Sequence, residues 1–390
     1  LTLVQALAGA NAPVVFATGA VVGRDLAPVP TLATLPVSFF MVGMAASTLP
    51  AGMIAERYGR RPVFMLGKLA GFLSGMLACL AIATQGFALF CLSIFLAGVY
   101  AAVVMSYRFA AAECVEPAFR PRALATVLAG GVAAGIVGGV LVSATMDLVP
   151  GYMFVGTYLA TAAIAVLSAA LLARIELPNI RTVGTYQGRP MQQIARQPRF
   201  IAAVVCGIVS YLLMNYLMTS APLAMRMHGH SQIDANQVVQ WHVVAMYAPS
   251  FVAGHLMVRY GTSTITGLGL IITLVSALFA LTGMSVVHFM VALIVLGIGW
   301  NFGFAGASSM ILETHRPEES ARVQSVNDFL VFGFVAVGSF LSGGILTTYG
   351  WQIVCLLALP PAIAALVMLF FFDRRERGAR RQTQVIDPGP

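Results

Sequence analysis

The sequence predicts an all-α membrane protein of twelve transmembrane helices, arranged as two pseudo-symmetric halves of six. Three observations carry that prediction. First, 59% of the 390 residues are hydrophobic and only 9% are charged, whereas a water-soluble domain carries roughly a quarter charged residues. Second, apolar runs of about 20 residues, long enough to span a bilayer, recur along the whole chain and leave no room for a separate soluble domain. Third, a loop sequence recurs: "GMIAERYGRR" from Gly52 and "GHLMVRYGTS" from Gly254 repeat Gly, Arg, Tyr and Gly in register at an offset of 202 residues.

Taken in order, spans are expected near residues 2–22, 31–55, 62–84, 87–107, 122–145 and 152–173, and then near 201–225, 236–258, 263–284, 288–311, 323–347 and 351–372. The chain starts at Leu1 and is read as having lost its natural N-terminus. Its first segment contains Asn11 and Pro13 and is expected to be a true span, not a cleaved signal. The fifth, "AGGVAAGIVGG", has glycine spacing suited to close helix contact. The longest polar stretch, rich in arginine (Arg174, Arg181, Arg189, Arg196, Arg199), separates the halves. The expected organisation is therefore a first half at 1–173, a linker at 174–200, a second half at 201–373 and a disordered tail at 374–390.

Charge sets the orientation. Only Arg24 and Arg226 fall in connections opposite the linker, Lys68 lies within a span, and the other 19 of 22 Lys and Arg lie on the linker side, tail included. The positive-inside rule predicts both termini and the linker in the cytoplasm. The net charge of +8 is thus assigned to loops facing lipid headgroups and not to nucleic-acid binding. Five scattered cysteines, Cys79, Cys91, Cys114, Cys206 and Cys355, include no CxxC pair and give neither a disulfide framework nor a zinc site. No nucleophile with a base, phosphate loop or carboxylate pair is visible, so no enzymatic activity and no resident cofactor are expected.

Candidate binding residues concentrate in the seventh and eighth spans. Met214 and Met218 in "MNYLM", and His242 and Met246 in "HVVAM", are i,i+4 pairs, so each pair shares one helix face. Thioether and imidazole donors suit copper(I). Packing by methionine in an apolar helix is the competing reading. At 1.5 Å per residue, Met214 lies about 20 Å from the linker-side start of its helix, and the four residues form a descending series. Cys206 and, through the 202-residue offset, Met44 are candidates to continue it. His228 and His230, in the connection before the eighth span, are candidates to gather the ion. Asn215, Trp300 and Asn301 are candidate cavity-lining residues. Asp328 and Lys68, charged within spans, are expected to face protein or water, and Asp328 is assigned to a gate.

"GMIAERYGRRP" resembles the signature loop between the second and third helices of the major facilitator superfamily, with Glu56 where aspartate is usual. The resemblance covers essentially the whole chain and implies the major facilitator fold. It also implies alternating access about a site between the halves, with Glu56, Arg57, Arg60 and Arg61 acting as a cytoplasmic latch. The proline of the antiporter signature is missing from the fifth span. More narrowly, the paired MxxxM and HxxxM motifs, 28 residues apart from Met214 to His242, resemble those of the CcoA-like bacterial copper importers. That resemblance implies copper as transported substrate, inner-membrane location and a monomer. The same branch includes riboflavin transporters, so the alternative is an importer of riboflavin or another small organic solute, with Trp241, Tyr247, Trp300 and Phe302 stacking an aromatic ring. A membrane sensor that binds metal without transport is a third possibility.

Overall fold

The computed structural model describes residues 1–29, 32–33, 35–175 and 188–386, with the side chains of 232, 340–344, 347 and 374–386 outside the description. Among the described residues there is no strand, and ten helical segments are long and apolar enough to cross a membrane. The first half contains α1 (Thr2–Ala8) with α2 (Asn11–Leu26), α3 (Leu35–Tyr58), α4 (Arg60–Ala83), α5 (Phe87–Glu113), α6 (Arg120–Thr145) and α7 (Val155–Ala173). After the short α8 (Met191–Ala195), the second half contains α9 (Pro198–Met227), α10 (Gln232–Tyr247) with α11 (Ser250–Tyr260), α12 (Thr262–Ala280), α13 (Val286–Ile311) and α14 (Ser320–Ile386). A glycine with left-handed backbone, Gly350, kinks α14 into an eleventh and a twelfth crossing. The eighth crossing, divided into α10 and α11, and the eleventh complete the twelve.

Proline explains both divided crossings. Pro13 has no N–H for the Gly9 carbonyl, which takes the Ala12 N–H instead at 3.3 Å. Pro249 likewise interrupts the ladder between α10 and α11. The freed Met246 carbonyl accepts from Asn301 Nδ2 at 2.6 Å, so a buried amide on α13 satisfies backbone that lipid could not. The repeated loop owes its glycines to geometry: α3 turns into α4 through Gly59 (φ 84°) and α11 into α12 through Gly261 (φ 89°). A side chain is strained in that region.

The halves meet along two helix pairs, α3 against α14 and α6 against α10 and α11. Small residues allow the approach. A Cβ on Gly52 would overlap the Ser325 side chain, and one on Gly131 would overlap the Tyr247 ring. The glycine-rich fifth crossing therefore serves the contact between halves. Lys68, fully buried, lies 5.0 and 5.2 Å from the Tyr100 and Tyr107 ring centroids, so its charge faces protein as expected.

Two expectations are corrected. Helix α5 runs to Glu113 and not to 107, which places Arg108 inside a crossing instead of among the linker-side loop cations. Helix α14 continues to Ile386, so the backbone of 374–386 is helical where a disordered tail is expected; its Arg, Glu, Ala and Gln are strong helix formers. Residues 387–390 of that tail, and linker residues 176–187, lie outside the described residues.

Candidate substrate site between the halves

An aromatic cluster marks the centre of the second half. Tyr211 on α9 meets Trp300 and Phe304 on α13 and Phe332 on α14 edge-on, with centroids 5.6, 5.2 and 5.6 Å away. Trp300 stacks on Phe304 at 5.2 Å and 15°, and Tyr247 at the end of α10 meets Trp300 edge-on at 5.5 Å. Phe304 sits four residues after Trp300, so ordinary helical spacing puts both rings on one face of α13.

Polar atoms without a hydrogen-bond partner among the described residues occur on the same three helices, α9, α10 and α13. They include Trp300 Nε1, Asn215 Nδ2, Asn301 Oδ1, Ser210 Oγ and His242 Nε2, all buried. In a bilayer interior such groups are costly unless something satisfies them. Together they offer donors (Trp300, Asn215) and acceptors (Asn301, His242). His242 Nδ1 lies 2.6 Å from the Leu293 carbonyl on α13. A carbonyl only accepts, so Nδ1 carries the hydrogen, and in the neutral ring Nε2 holds a free lone pair.

Met214, Met218 and Met246 are buried in one apolar cluster that includes residues of both halves, and Met44, the repeat partner of Met246, belongs to it too. Cys206 does not. It lies in a separate core inside the second half with Cys355 and Met310; eight residues from Met214 is about 80° around the helix, which turns it to another face. His228 and His230 each use one ring nitrogen on a backbone carbonyl, of Ala224 at 2.8 Å and Met284 at 2.6 Å. Trp241 is 55% exposed on the outer surface and cannot stack with the central rings. Tyr247, Trp300 and Phe302 are on the buried side.

Below the cluster, toward the linker, the halves are joined by polar contacts. Arg108 on α5 donates to Asp328 on α14 at 2.6 Å and to Ser308 on α13 at 3.2 Å, and its guanidinium lies 4.8 Å from the Phe304 centroid. Nearer the linker, Arg60 donates twice to Glu113 at 2.6 Å and to Gln324 on α14 at 2.5 Å. Of the signature-loop cations, Arg60 makes this contact between halves. Arg61 donates to the Ala173 carbonyl of its own half at 2.8 Å, and Arg57 lies over the neighbouring Tyr58 ring. Glu56 is half-buried at the end of α3.

Arg108 was missed because its span was ended at residue 107. The signal lay in "FAAAE", four apolar residues after the arginine before the next charge. The acceptor of Arg60 was also unanticipated. It belongs to a second repeat, at an offset of 200, that pairs Glu113 with Glu313 and Pro117 with Pro317. In the second half Thr262, the counterpart of Arg60, donates to Glu313 at 2.8 Å, and Arg199 supplies the cation in an ion pair with Glu313.

The linker end is fastened to the same face. Arg189 donates to Glu319 at 2.9 and 2.6 Å, and the Glu319 carboxyl is lowered to about 2, chiefly by these hydrogen bonds. His315, 3.3 Å from Gln324, is lowered by burial.

A family model described as Major Facilitator Superfamily matches residues 1–241 and 203–388. The riboflavin transporter RfnT of Brucella anthropi is 44% identical over 372 residues, covering 95% of this chain and 93% of that protein. The uncharacterized MFS-type transporter YdeG of Bacillus subtilis is 26% identical, covering 88% and 84%. Among solved structures, the Escherichia coli fucose:proton symporter FucP matches with a TM-score of 0.73 at 15% identity, covering 96% of each chain. A bacterial homologue of the iron transporter ferroportin in an outward-facing state matches at 0.72 and 12%, covering 96% and 98%. At those identities the two structures speak to the fold alone.

Proposed function

The chain belongs to the major facilitator superfamily, and from that premise we propose that it carries riboflavin, or a closely similar tricyclic flavin, across the bacterial inner membrane into the cell by alternating access. The observation that carries this reading is the aromatic cluster, on helices that also carry unpartnered buried donors and acceptors, in a chain 44% identical to a riboflavin transporter. A flavin has a flat, weakly polar ring system and one imide edge with an N–H between two carbonyls. Aromatic faces suit the rings. Asn301 Oδ1 or His242 Nε2 suits the imide N–H, and Trp300 Nε1 and Asn215 Nδ2 suit the carbonyls.

In this reading the linker side is the cytoplasm, from the excess of cationic residues there. The Arg60–Glu113–Gln324 and Arg108–Asp328 contacts hold that side closed. The flavin enters from the opposite side, displaces packing among the rings, and leaves when the halves rock apart at the linker side. Expression in a bacterium that neither makes nor takes up riboflavin should restore growth on low riboflavin. Uptake of radioactive riboflavin should be competed by excess riboflavin and not by copper; no uptake at normal protein levels would reject the proposal.

Copper import retains one specific observation in its favour: His242 Nε2 is an unpartnered lone pair four residues before Met246, which shares a buried cluster with Met44, Met214 and Met218. Radioactive copper uptake by the same cells, insensitive to riboflavin, would favour it instead.

A further inference from the structure

The chain holds a single lysine. Lys68 is the only one among its 22 Lys and Arg residues, so every other such cation is an arginine. It stands eight residues into α4, about 12 Å from the linker-side end, and only 2% of it is exposed. Among the described residues it belongs to no ion pair. The fold does not require a cation there: at the 202-residue offset its counterpart in the second half is Leu270, fully buried.

Around the ammonium the described residues supply donors and ring faces but no anionic acceptor. Lys68 Nζ donates to the Tyr100 hydroxyl at 3.4 Å and lies 5.0 and 5.2 Å from the Tyr100 and Tyr107 ring centroids. Ser168 spends its hydrogen on the Ala165 carbonyl at 2.9 Å, so the Tyr100 hydroxyl donates its own to Ser168 Oγ at 3.2 Å. Two ammonium N–H groups are left over. Tyr107, whose ring the ammonium also meets, has no exposed surface, and its hydroxyl has no hydrogen-bond partner among the described residues. Unspent donors on a buried cation and a buried phenol are costly inside a bilayer.

We infer that Lys68 Nζ and the Tyr107 hydroxyl hold a small monovalent anion, a halide such as chloride, within the first half. One negative charge neutralises one ammonium, and a spherical acceptor takes N–H and O–H donors from any direction. A compact ammonium with three donors suits that task better than the planar fork of arginine. The packing sets the size. A Cβ on Gly67 would overlap Val103 and one on Gly71 would overlap the Tyr100 ring, so α4 is pressed on α5 beside Lys68 and a halide fits the contact better than sulfate or phosphate.

An approach exists from the linker side. A crevice of about 460 Å³, its open mouth included, runs between α3, α4, α5 and α14, lined by Arg60 at the start of α4 and by Phe64, Val103 and Ser106 farther along the crossings. Phe64 is one helical turn from Lys68 and meets the Tyr107 ring edge-on at 4.6 Å. It therefore stands between that crevice and the Lys68–Tyr107 pair. The inference is independent of the transported solute.

Binding of radioactive chloride to the purified full chain tests it, with gluconate replacing chloride at constant ionic strength. The parent should bind one chloride saturably, with bromide competing and sulfate failing to compete. Lys68→Met and Tyr107→Phe should each weaken binding by about tenfold or more, the loss expected for one hydrogen bond to a charged group. Arg226→Gln, which removes an exposed cation at the other end of the second half, should leave it unchanged. A measurement on the parent alone covers the case in which Lys68→Met does not fold. Because the chain has one lysine, a membrane-permeant amine-acylating reagent reports that site on its own peptide, and an ammonium held by an anion has no lone pair to react. Chloride should therefore slow acylation of Lys68 several-fold relative to gluconate. No saturable chloride binding by the parent, binding that survives Lys68→Met, or acylation equally fast in chloride and gluconate would overturn the inference.

Discussion

Arg108 and Ser308 stand 200 residues apart at equivalent positions of the two halves, and they touch, the Arg108 Nε donating to Ser308 Oγ at 3.2 Å. Counted back from the paired Glu113 and Glu313, the residue five positions earlier is an arginine in one copy and a serine in the other. That asymmetry lets one guanidinium bridge to both α13 and α14 without meeting a second cation. Removing one member of a buried ion pair leaves the other uncompensated, so Arg108→Leu should destabilise the protein by about 3–5 kcal/mol. Arg108→Leu with Asp328→Leu should recover most of that loss. Thermal unfolding of purified protein measures both; a double variant no more stable than Arg108→Leu would mean the pair is not the main contact of either residue.

The two signature-loop glycines predict a matched pair of effects. Gly59 and Gly261 combine φ of 84° and 89° with extended ψ of 175° and 149°, a region open essentially to glycine alone, where another residue costs about 1–3 kcal/mol. Gly59→Ala and Gly261→Ala should each lower thermal stability by about that amount. Alanine at Gly151, which has open space around it and also a positive φ, controls for backbone strain without helix packing. A markedly larger cost at Gly59 than at Gly151 would show that the loop's contacts, not its φ alone, demand glycine.

Acid should loosen the linker's hold on the second half. The Glu319 carboxyl is depressed from 4.5 to about 2 by the Arg189 hydrogen bonds. A depressed carboxylate contributes stability that is fully present above its unfolded value and is lost as pH falls through the folded one. Between about pH 4.5 and about 2 the parent should therefore lose stability that Glu319→Gln and Arg189→Ala lack. Equal acid profiles for the parent and both variants would remove Glu319 from the account.

The fold was legible because the bilayer imposes it: long apolar runs, a polar linker and a duplicated loop leave few arrangements for the backbone. Residues were legible where their chemistry conflicts with lipid. Asp328 and Lys68 were expected to face protein, and they do. Arg108 escaped because a cation near a span's end is indistinguishable, by hydropathy, from a loop anchor. Cys206 and Trp241 show another limit. Their sequence neighbours suggested a shared site, but helical rotation turns Cys206 into a different core and Trp241 outward. The Glu113 partner of Arg60 needed a distance of 53 residues to be closed by tertiary packing, which no local pattern carries.

The substrate is decided by substitutions that separate ring faces from donor atoms. Met214→Leu and Met246→Leu keep volume and apolarity while removing sulfur, a change that buried packing usually tolerates for less than about 1.5 kcal/mol. Trp300→Leu removes both the stacking face at 5.2 Å from Phe304 and the unpartnered Nε1 donor. Tyr211→Leu removes the ring that three other rings meet edge-on, whereas Tyr211→Phe keeps it. Aromatic contacts with a bound base are worth about 1–3 kcal/mol each, so under the flavin reading Trp300→Leu and Tyr211→Leu should each lower riboflavin uptake by about tenfold or more. The Tyr211→Phe variant and the Met214→Leu, Met246→Leu double variant should stay close to the parent. Under the copper reading the order reverses, since copper(I) needs the donor atoms and not the rings. Uptake of both labelled substrates, normalised to protein in the membrane, distinguishes the two. Riboflavin uptake that survives Trp300→Leu but collapses in the double methionine variant would reject the aromatic cluster as the binding site.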